Sequence, residues 1–272
     1  PRAGGASAVR LPPPTVRRRL PPAVVVPAAA GVAFVLLPAV GLLTRLPWGE
    51  LAARLRSPVV VEAARVSLVV ATGAAALAAL LGLPLAWLLA RVPFPGRALL
   101  RSLVVLPLVL PPVVAGIGLL AAFGRRGILG GPLRAIGVEL PFTTAAAVLA
   151  AGFVAFPLFV LSVEAGIRSL DARLEEAAAT MGATRWYTLR RVVLPLLAPS
   201  LSSGVVLAWA RALGEFGATI MFAGNLRGRT QTLPLAAFEV SQTDPAGGIA
   251  IAVALVALSV VILVALRGRL LR

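Results

Sequence analysis

Six apolar runs, each about 20 residues long, fix what this chain can become. They are Ala23–Leu43, Val66–Ala90, Ser102–Phe123, Phe142–Val163, Leu196–Phe222 and Gly247–Leu266. About 20 helical residues cross a hydrocarbon layer about 30 Å thick. With 59% hydrophobic residues and a mean hydropathy of +0.97, the chain carries more apolar surface than a soluble core hides. The longest stretch outside the runs, 164–195, is too short for an independent soluble domain. The expectation is an all-α integral membrane protein with six crossings.

All 26 basic residues are arginine, and Lys, His and Cys are absent. A net charge of +16 raises the question of nucleic acid. The distribution answers it. With a cytoplasmic N-terminus, the inner segments hold five Arg in 1–22, three in 91–101, five in 164–195 and three after Leu266. The outer loops hold nine, and Arg211 lies within a run. That is a moderate positive-inside bias, suited to anionic lipid and not to nucleic acid. Both termini are then expected in the cytoplasm. Without Lys there is no phosphate-loop lysine, so the chain is not a P-loop ATPase by itself. Without His or Cys, most transition-metal sites and the usual triads are excluded. No cofactor or metal is expected on this chain. Arg17-Arg18-Arg19 before the first run resembles a signal peptide, but the run is too long, and Leu42-Leu43-Thr44 is a poor cleavage site. The run is read as a retained first helix behind a disordered tail over 1–22.

Proline is frequent in the runs: Pro38, Pro84, Pro107, Pro111, Pro112, Pro157 and Pro199. Each removes a backbone donor and bends its helix. Carbonyls so freed need protein or a wet cavity. The cluster Pro107–Pro112 marks the third crossing either as the border of a pathway or as a packing kink. In the outer loop 44–65, Leu51, Leu55 and Val59 recur at helical spacing and suggest a short surface helix.

The stretch Glu176–Pro195, EAAATMGATRWYTLRRVVLP, is charged and Gly-containing and sits between the fourth and fifth runs. Asp171 can cap a helix to Met181, and Gly182 suits the left-handed position after it. Leu170, Leu174, Ala178 and Met181 form a short apolar stripe, with Glu175 and Glu176 beside it. Thr184 can cap a second helix, Arg185–Val193, before Pro195 opens the fifth span. Read from residues alone, this elbow also fits an amphipathic helix lying on lipid.

Its spacing resembles the signature loop of ATP-binding-cassette importer permeases, carried by Glu176-Ala177-Ala178, Gly182, Val192 and Leu194-Pro195, with Val where Ile is commoner. The resemblance implies a type I importer fold in which the elbow couples to an ATPase. Glu175, Glu176, Ala177, Ala178, Met181, Gly182, Leu194 and Pro195 are its expected coupling residues. Leu106–Val114, Phe123–Gly127, Arg211–Thr219, Gly224-Asn225 and Arg229–Pro234 resemble the molybdate permeases. The sulfate/thiosulfate permeases share Gly214–Ala218, so that piece specifies tetrahedral oxyanions generally. The implied partners are two ATPase subunits that use ATP and magnesium, a second permease copy, an extracytoplasmic molybdate-binding protein and membrane lipid. The implied layout is a tail over 1–22, a first helix and outer loop over 23–65, a permease core over 66–266 and a cytoplasmic end over 267–272. The chain itself is expected to be a transport subunit and not an enzyme.

Arg211 and Glu215 lie four apart, on one helical face of the fifth run. A rise of ~1.5 Å per residue puts Arg211 roughly 22 Å from Leu196, past the midplane. A lone charge in mid-span costs ~2.5–3.5 kcal/mol, so the two must face each other, a cavity or a partner helix. They either line an anion path with Thr219, Pro107, Pro111 and Pro112, or form a structural pair. Thr143, Thr144, Ser202 and Ser203 offer further hydroxyls, although such groups commonly bond the preceding turn. Two rival classes are an ion-gradient-driven transporter and a membrane scaffold. The first commonly shows inverted repeats and acidic relays, neither of which is visible here.

Overall fold

The computed structural model describes residues 21–171 and 173–270, so residues 1–20 of the expected tail lie outside them. The described residues are helical and hold no strand. Residues up to Thr44 and residues from Arg45 form two compact units. The first contains α1 (Pro22–Thr44), 23 apolar residues with Pro27 and Pro38 inside. Among the described residues five helices are long and apolar enough to cross a membrane, and one bent pair makes a sixth crossing if the two are taken as one span.

The second unit opens with α2 (Leu51–Leu55), the short helix expected in this loop. Val59 is not part of it. The next helix, α3, runs Pro58–Arg91 and so starts well before the expected Val66. Pro58 is already preset for a first turn, and extended Ser57 precedes it. Its 34 residues rise about 51 Å, more than a bilayer core requires.

The third crossing is broken, not kinked. Helices α4 (Arg97–Val109) and α5 (Pro112–Phe123) meet at 118°. A residue before proline is pushed out of the helical region. Two consecutive prolines do this twice: Leu110 has ψ 134° and Pro111 has ψ 133°. Pro107 stays inside α4, where it is buried.

After the short α6 (Gly130–Ala135) comes α7 (Thr144–Ser169), capped by the Thr143 hydroxyl, which accepts from Ala146 N–H. It continues past the expected end at Val163, so Glu164 lies inside a buried helix and not at the start of a loop. Helix α8 (Arg173–Thr180) follows. Then α9 (Arg185–Thr188), a π-turn (Leu189–Val193) and α10 (Leu194–Leu213) run on as one 29-residue rod. Pro195 therefore does not open a span. It cannot donate a backbone bond, and the wide turn before it absorbs the fault, with Leu194 N–H reaching back to Leu189.

The expected fifth run, Leu196–Phe222, is also divided. The rod stops at Leu213, and a separate α11 covers Gly217–Phe222. Helices α12 (Leu233–Ser241) and α13 (Pro245–Leu270) complete the chain.

The core is α3, α7 and α10 packed together. Their facing sides are small: Ala71, Ala74 and Ala78 on α3, Ala147, Ala151 and Ala155 on α7, Ala208 and Ala212 on α10. Lipid gives helices no hydrophobic reason to associate, so close van der Waals approach holds them. Phe159 fills one close approach among the three helices. A Cβ on Gly82 of α3 would lie 2.7 Å from its ring, and one on Gly204 of α10 would lie 3.1 Å from it. A second cluster, with Val60, Ala63, Leu233, Ala236 and Ile251, joins the start of α3 to α12 and α13.

Candidate functional site: an elbow and a pair of broken helices

The elbow is α8, a glycine turn and α9. Asp171 Oδ1 accepts from Arg173 N–H at 2.9 Å and starts α8. Gly182 ends it at φ +78°. Ala183 N–H reaches Ala178 O at 3.0 Å and Gly182 N–H reaches Ala179 O at 3.0 Å, the paired bonds of a Schellman stop. Thr184 then caps α9, accepting from Tyr187 N–H at 3.2 Å.

The expected apolar stripe divides between two environments. Ala178 is buried and Leu170 packs on the core, whereas Leu174 and Met181 face outward, Met181 at 81% exposure. The two glutamates part company as well. Glu175 pairs with Arg91, the last residue of α3, at 2.9 Å. Glu176 is exposed, as are Ala177, Gly182 and Pro195, while Leu194 is half-buried. The outward face thus offers Glu176, Ala177, Met181 and Gly182. Beside it, the Arg190 guanidinium lies 5.5 Å from the ring centre of exposed Trp186.

The second feature is where the two helix breaks meet. A Cβ on Gly217, at the start of α11, would stand 2.6 Å from Pro112 Cβ. So the break between α10 and α11 lies against the break between α4 and α5, and Pro111, Pro112, Glu215 and Thr219 gather there. Arg211 Nη1 and Glu215 Oε2 are 2.8 Å apart. They do not share a continuous helix, because Glu215 lies beyond the end of α10. Its other oxygen accepts from Ala218 N–H at 2.9 Å, which caps α11. Glu215 is 2% exposed with both oxygens engaged, and Arg211 is partly open. The Thr219 hydroxyl is buried with no partner among the described residues.

Three of the other candidate hydroxyls, on Thr143, Thr144 and Ser202, turn to backbone. Ser202 bonds Ala198 O at 2.8 Å, and Thr144 bonds Arg229 O at 2.9 Å. The elbow and the paired breaks are joined directly, since one rod runs from Arg185 to Leu213. The described residues contain no group of His, Cys, Asp or Glu able to hold a metal.

Residues 82–271 match the family model described as "Binding-protein-dependent transport system inner membrane component". The chain belongs to that family. The match starts inside α3 and takes in both the elbow and the broken pair. The molybdenum transport system permease protein ModB of Mycobacterium tuberculosis is 44% identical over 252 residues, 92% of this chain and 95% of its own length. The sulfate transport system permease protein CysT of Escherichia coli is 37% identical over 222 residues, 81% of this chain and 80% of its own. A chain in the crystal structure of a bacterial alginate ABC transporter superposes with a TM-score of 0.71 at 18% identity, covering 89% of this chain and 90% of its own. Together with the family match, that likeness establishes the type I ABC permease fold.

Sequence reasoning passed over one further polar group in this permease. Glu164, 1% exposed, takes Arg168 at 2.8 Å and Arg101 at 3.1 Å. The Arg168 guanidinium also donates to Leu89 O at 3.3 Å. The cluster ties the end of α3, the start of α4 and the end of α7. The spacing of four between Glu164 and Arg168 was its one visible signal. At the opposite end, a cleft of about 270 Å³ is lined by Glu62, Arg65, Val66, Val69, Thr144 and Gly228. Arg227 closes on Glu62 beside it at 3.0 Å.

Proposed function

We propose that this chain is the membrane-spanning subunit of an ATP-driven importer for a tetrahedral oxyanion, molybdate, working by alternating access. The elbow carries the reading. Its outward Glu176, Ala177, Met181 and Gly182 form a short face, braced by a glycine stop, that a soluble partner can grip. The partner is an ATPase subunit, one for each of two permease copies, and it alone uses ATP and magnesium. This chain binds no cofactor and catalyses no reaction itself. The elbow end lies in the cytoplasm, with both termini, in an inner membrane. An extracytoplasmic binding protein delivers the anion to the opposite end.

The rod from Arg185 to Leu213 carries movement of the elbow to the paired breaks. There the partly open Arg211 meets the anion, and Glu215 offsets part of its charge so that the anion is not trapped. Backbone freed by broken helices is tolerated at membrane depth where it lines a cavity, and this favours a path along Pro111, Pro112 and Thr219. The relatives' identities favour molybdate over sulfate. The 37% identity to a sulfate permease makes sulfate or thiosulfate the second reading.

The test is uptake of radiolabelled molybdate and of sulfate by vesicles holding permease, ATPase and binding protein, with and without ATP. ATP-dependent molybdate uptake is expected. Sulfate uptake alone moves the assignment to the second reading. Uptake driven by an ion gradient without ATP overturns both.

A further inference from the structure

The elbow end of the bundle holds a buried donor and a buried acceptor, each without a partner, in one connected network. Arg91 uses Nη2 for two bonds, to Glu175 Oε1 at 2.9 Å and to Leu170 O at 3.4 Å. Its Nε is buried with no partner among the described residues. On Glu164, the bonds from Arg168 Nε (3.0 Å), Arg168 Nη2 (2.8 Å) and Arg101 Nη2 (3.1 Å) all fall on Oε1. Its Oε2 is buried and bare.

Both sites lie where the end of α3 meets the end of α7, since Arg91 reaches Leu170 O and Arg168 reaches Leu89 O. Arg168 Nη2 touches both Glu164 Oε1 and Leu89 O, two residues before Arg91. A buried polar atom without a partner is destabilising, and more so when charged. Such atoms in a native fold call for an explanation, and a strain reservoir is one. A single movement of the Arg91 guanidinium from Glu175 to Glu164 would satisfy both.

We infer that Arg91 is a two-position residue that times the elbow. In the state described here it holds α8 to the end of α3 through Glu175. When the elbow is drawn off, Arg91 passes to Glu164 Oε2 and locks α3 to the ends of α4 and α7. The inference rests on the proposed ATPase partner at the elbow. The fold favours such an exchange. Among the described residues, Arg91–Glu175 is the one salt bridge between α8 and the membrane helices. At 24% and 33% side-chain exposure it reaches the surface of the bundle, where a movement of α8 can part it. Glu164, by contrast, is a fixed and buried receiver.

The test uses the assembled complex of permease, ATPase and binding protein in proteoliposomes, reading ATP turnover and molybdate uptake. Glu175→Gln weakens the first position and is expected to raise turnover without loaded binding protein by about threefold. Glu164→Gln weakens the second and is expected to lower stimulated turnover by about threefold. In an Arg91→Ala background neither substitution should act further, and Arg91→Lys should recover part of the response. Full single effects persisting without Arg91, or effects of the same sign, overturn the exchange.

If Glu164→Gln does not assemble, cysteine pairs decide, because the chain has no Cys of its own. Arg91→Cys with Glu175→Cys should cross-link in the resting complex. Arg91→Cys with Glu164→Cys should do so after trapping with ATP and vanadate. Identical cross-linking in both states sinks the inference. Failure of the unsubstituted chain to capture any ATPase would instead sink the functional reading beneath it.

Discussion

Gly217 meets Pro112 so closely that a Cβ on the glycine would stand 2.6 Å from that of the proline. Two helix breaks are thereby pressed together, and neither neighbour has a flexible end that could yield. Gly217→Ala is expected to cost ~1–3 kcal/mol, the usual range for overpacking. The thermal midpoint of the detergent-solubilised permease should fall accordingly. Pro112→Ala removes the constraint on Pro111 without adding bulk, so it should spare the midpoint and lower uptake. A Gly217→Ala permease with an unchanged midpoint would mean that the two breaks do not touch.

Arg211 and Glu215 make a pair with unequal duties. Glu215 serves two donors from a buried position, Arg211 and the first turn of α11. Removing one partner of a buried pair costs ~3–5 kcal/mol. Glu215→Ala is therefore expected to deplete membrane-inserted protein. Arg211→Ala would strand the buried Glu215 carboxylate and should deplete protein as well, whereas Arg211→Lys keeps the charge and should lower uptake while inserted protein stays near normal. Quantitative blotting of membranes beside molybdate uptake checks both. If Arg211→Lys depletes protein and uptake together, the pair is purely structural.

The elbow's caps were legible in the sequence because they are local. Asp171, Gly182 and Thr184 act on backbone within a few residues, so their chemistry fixes their geometry. Five of the six crossings were legible as single apolar helices, since hydropathy over about 20 residues suffices. Their ends were not. The sequence stopped α7 at the first charge, yet Glu164 is carried into the bundle by Arg101, a partner more than sixty residues away. The break after α10 stayed hidden for a similar reason. Gly214–Phe216 reads as helix until α5 is known to lie across it. The Leu110–Pro112 break was half visible: two prolines announced a bend, and only the structure gives its 118°.

Asp244 predicts a pH dependence at the far end of the molecule. Its carboxyl is held below the ordinary range, first by the Gly247 N–H and next by the Arg54 side chain. A carboxyl depressed in the folded state stabilises fully above its unfolded value, about 3.9. That contribution declines as pH falls through the folded value. The start of α13 should therefore keep its amide protection through neutral and mildly acidic pH and lose it only in strong acid. Hydrogen exchange at Gly247 and Gly248 against pH measures this. Asp244→Asn should abolish the pH dependence of protection there, taken relative to the intrinsic exchange rate, and an unchanged profile would exclude Asp244 as its source.

Gly182 separates backbone strain from crowding. Its φ is +78°, yet a Cβ there would meet nothing within 4 Å. Within this subunit, the cost of a side chain is thus conformational alone. A left-handed residue costs roughly 1–2 kcal/mol for ordinary side chains, and less for asparagine, which visits that region readily. Gly182→Val should therefore weaken the Schellman stop, loosen the elbow and lower uptake per ATP hydrolysed. Gly182→Asn should retain most of it. That order, Gly above Asn above Val, is what a backbone hinge demands. Equal loss in Asn and Val, with stability unaffected, would carry a different meaning: the open space beside Gly182 is filled by the docked ATPase, and the glycine serves contact more than conformation.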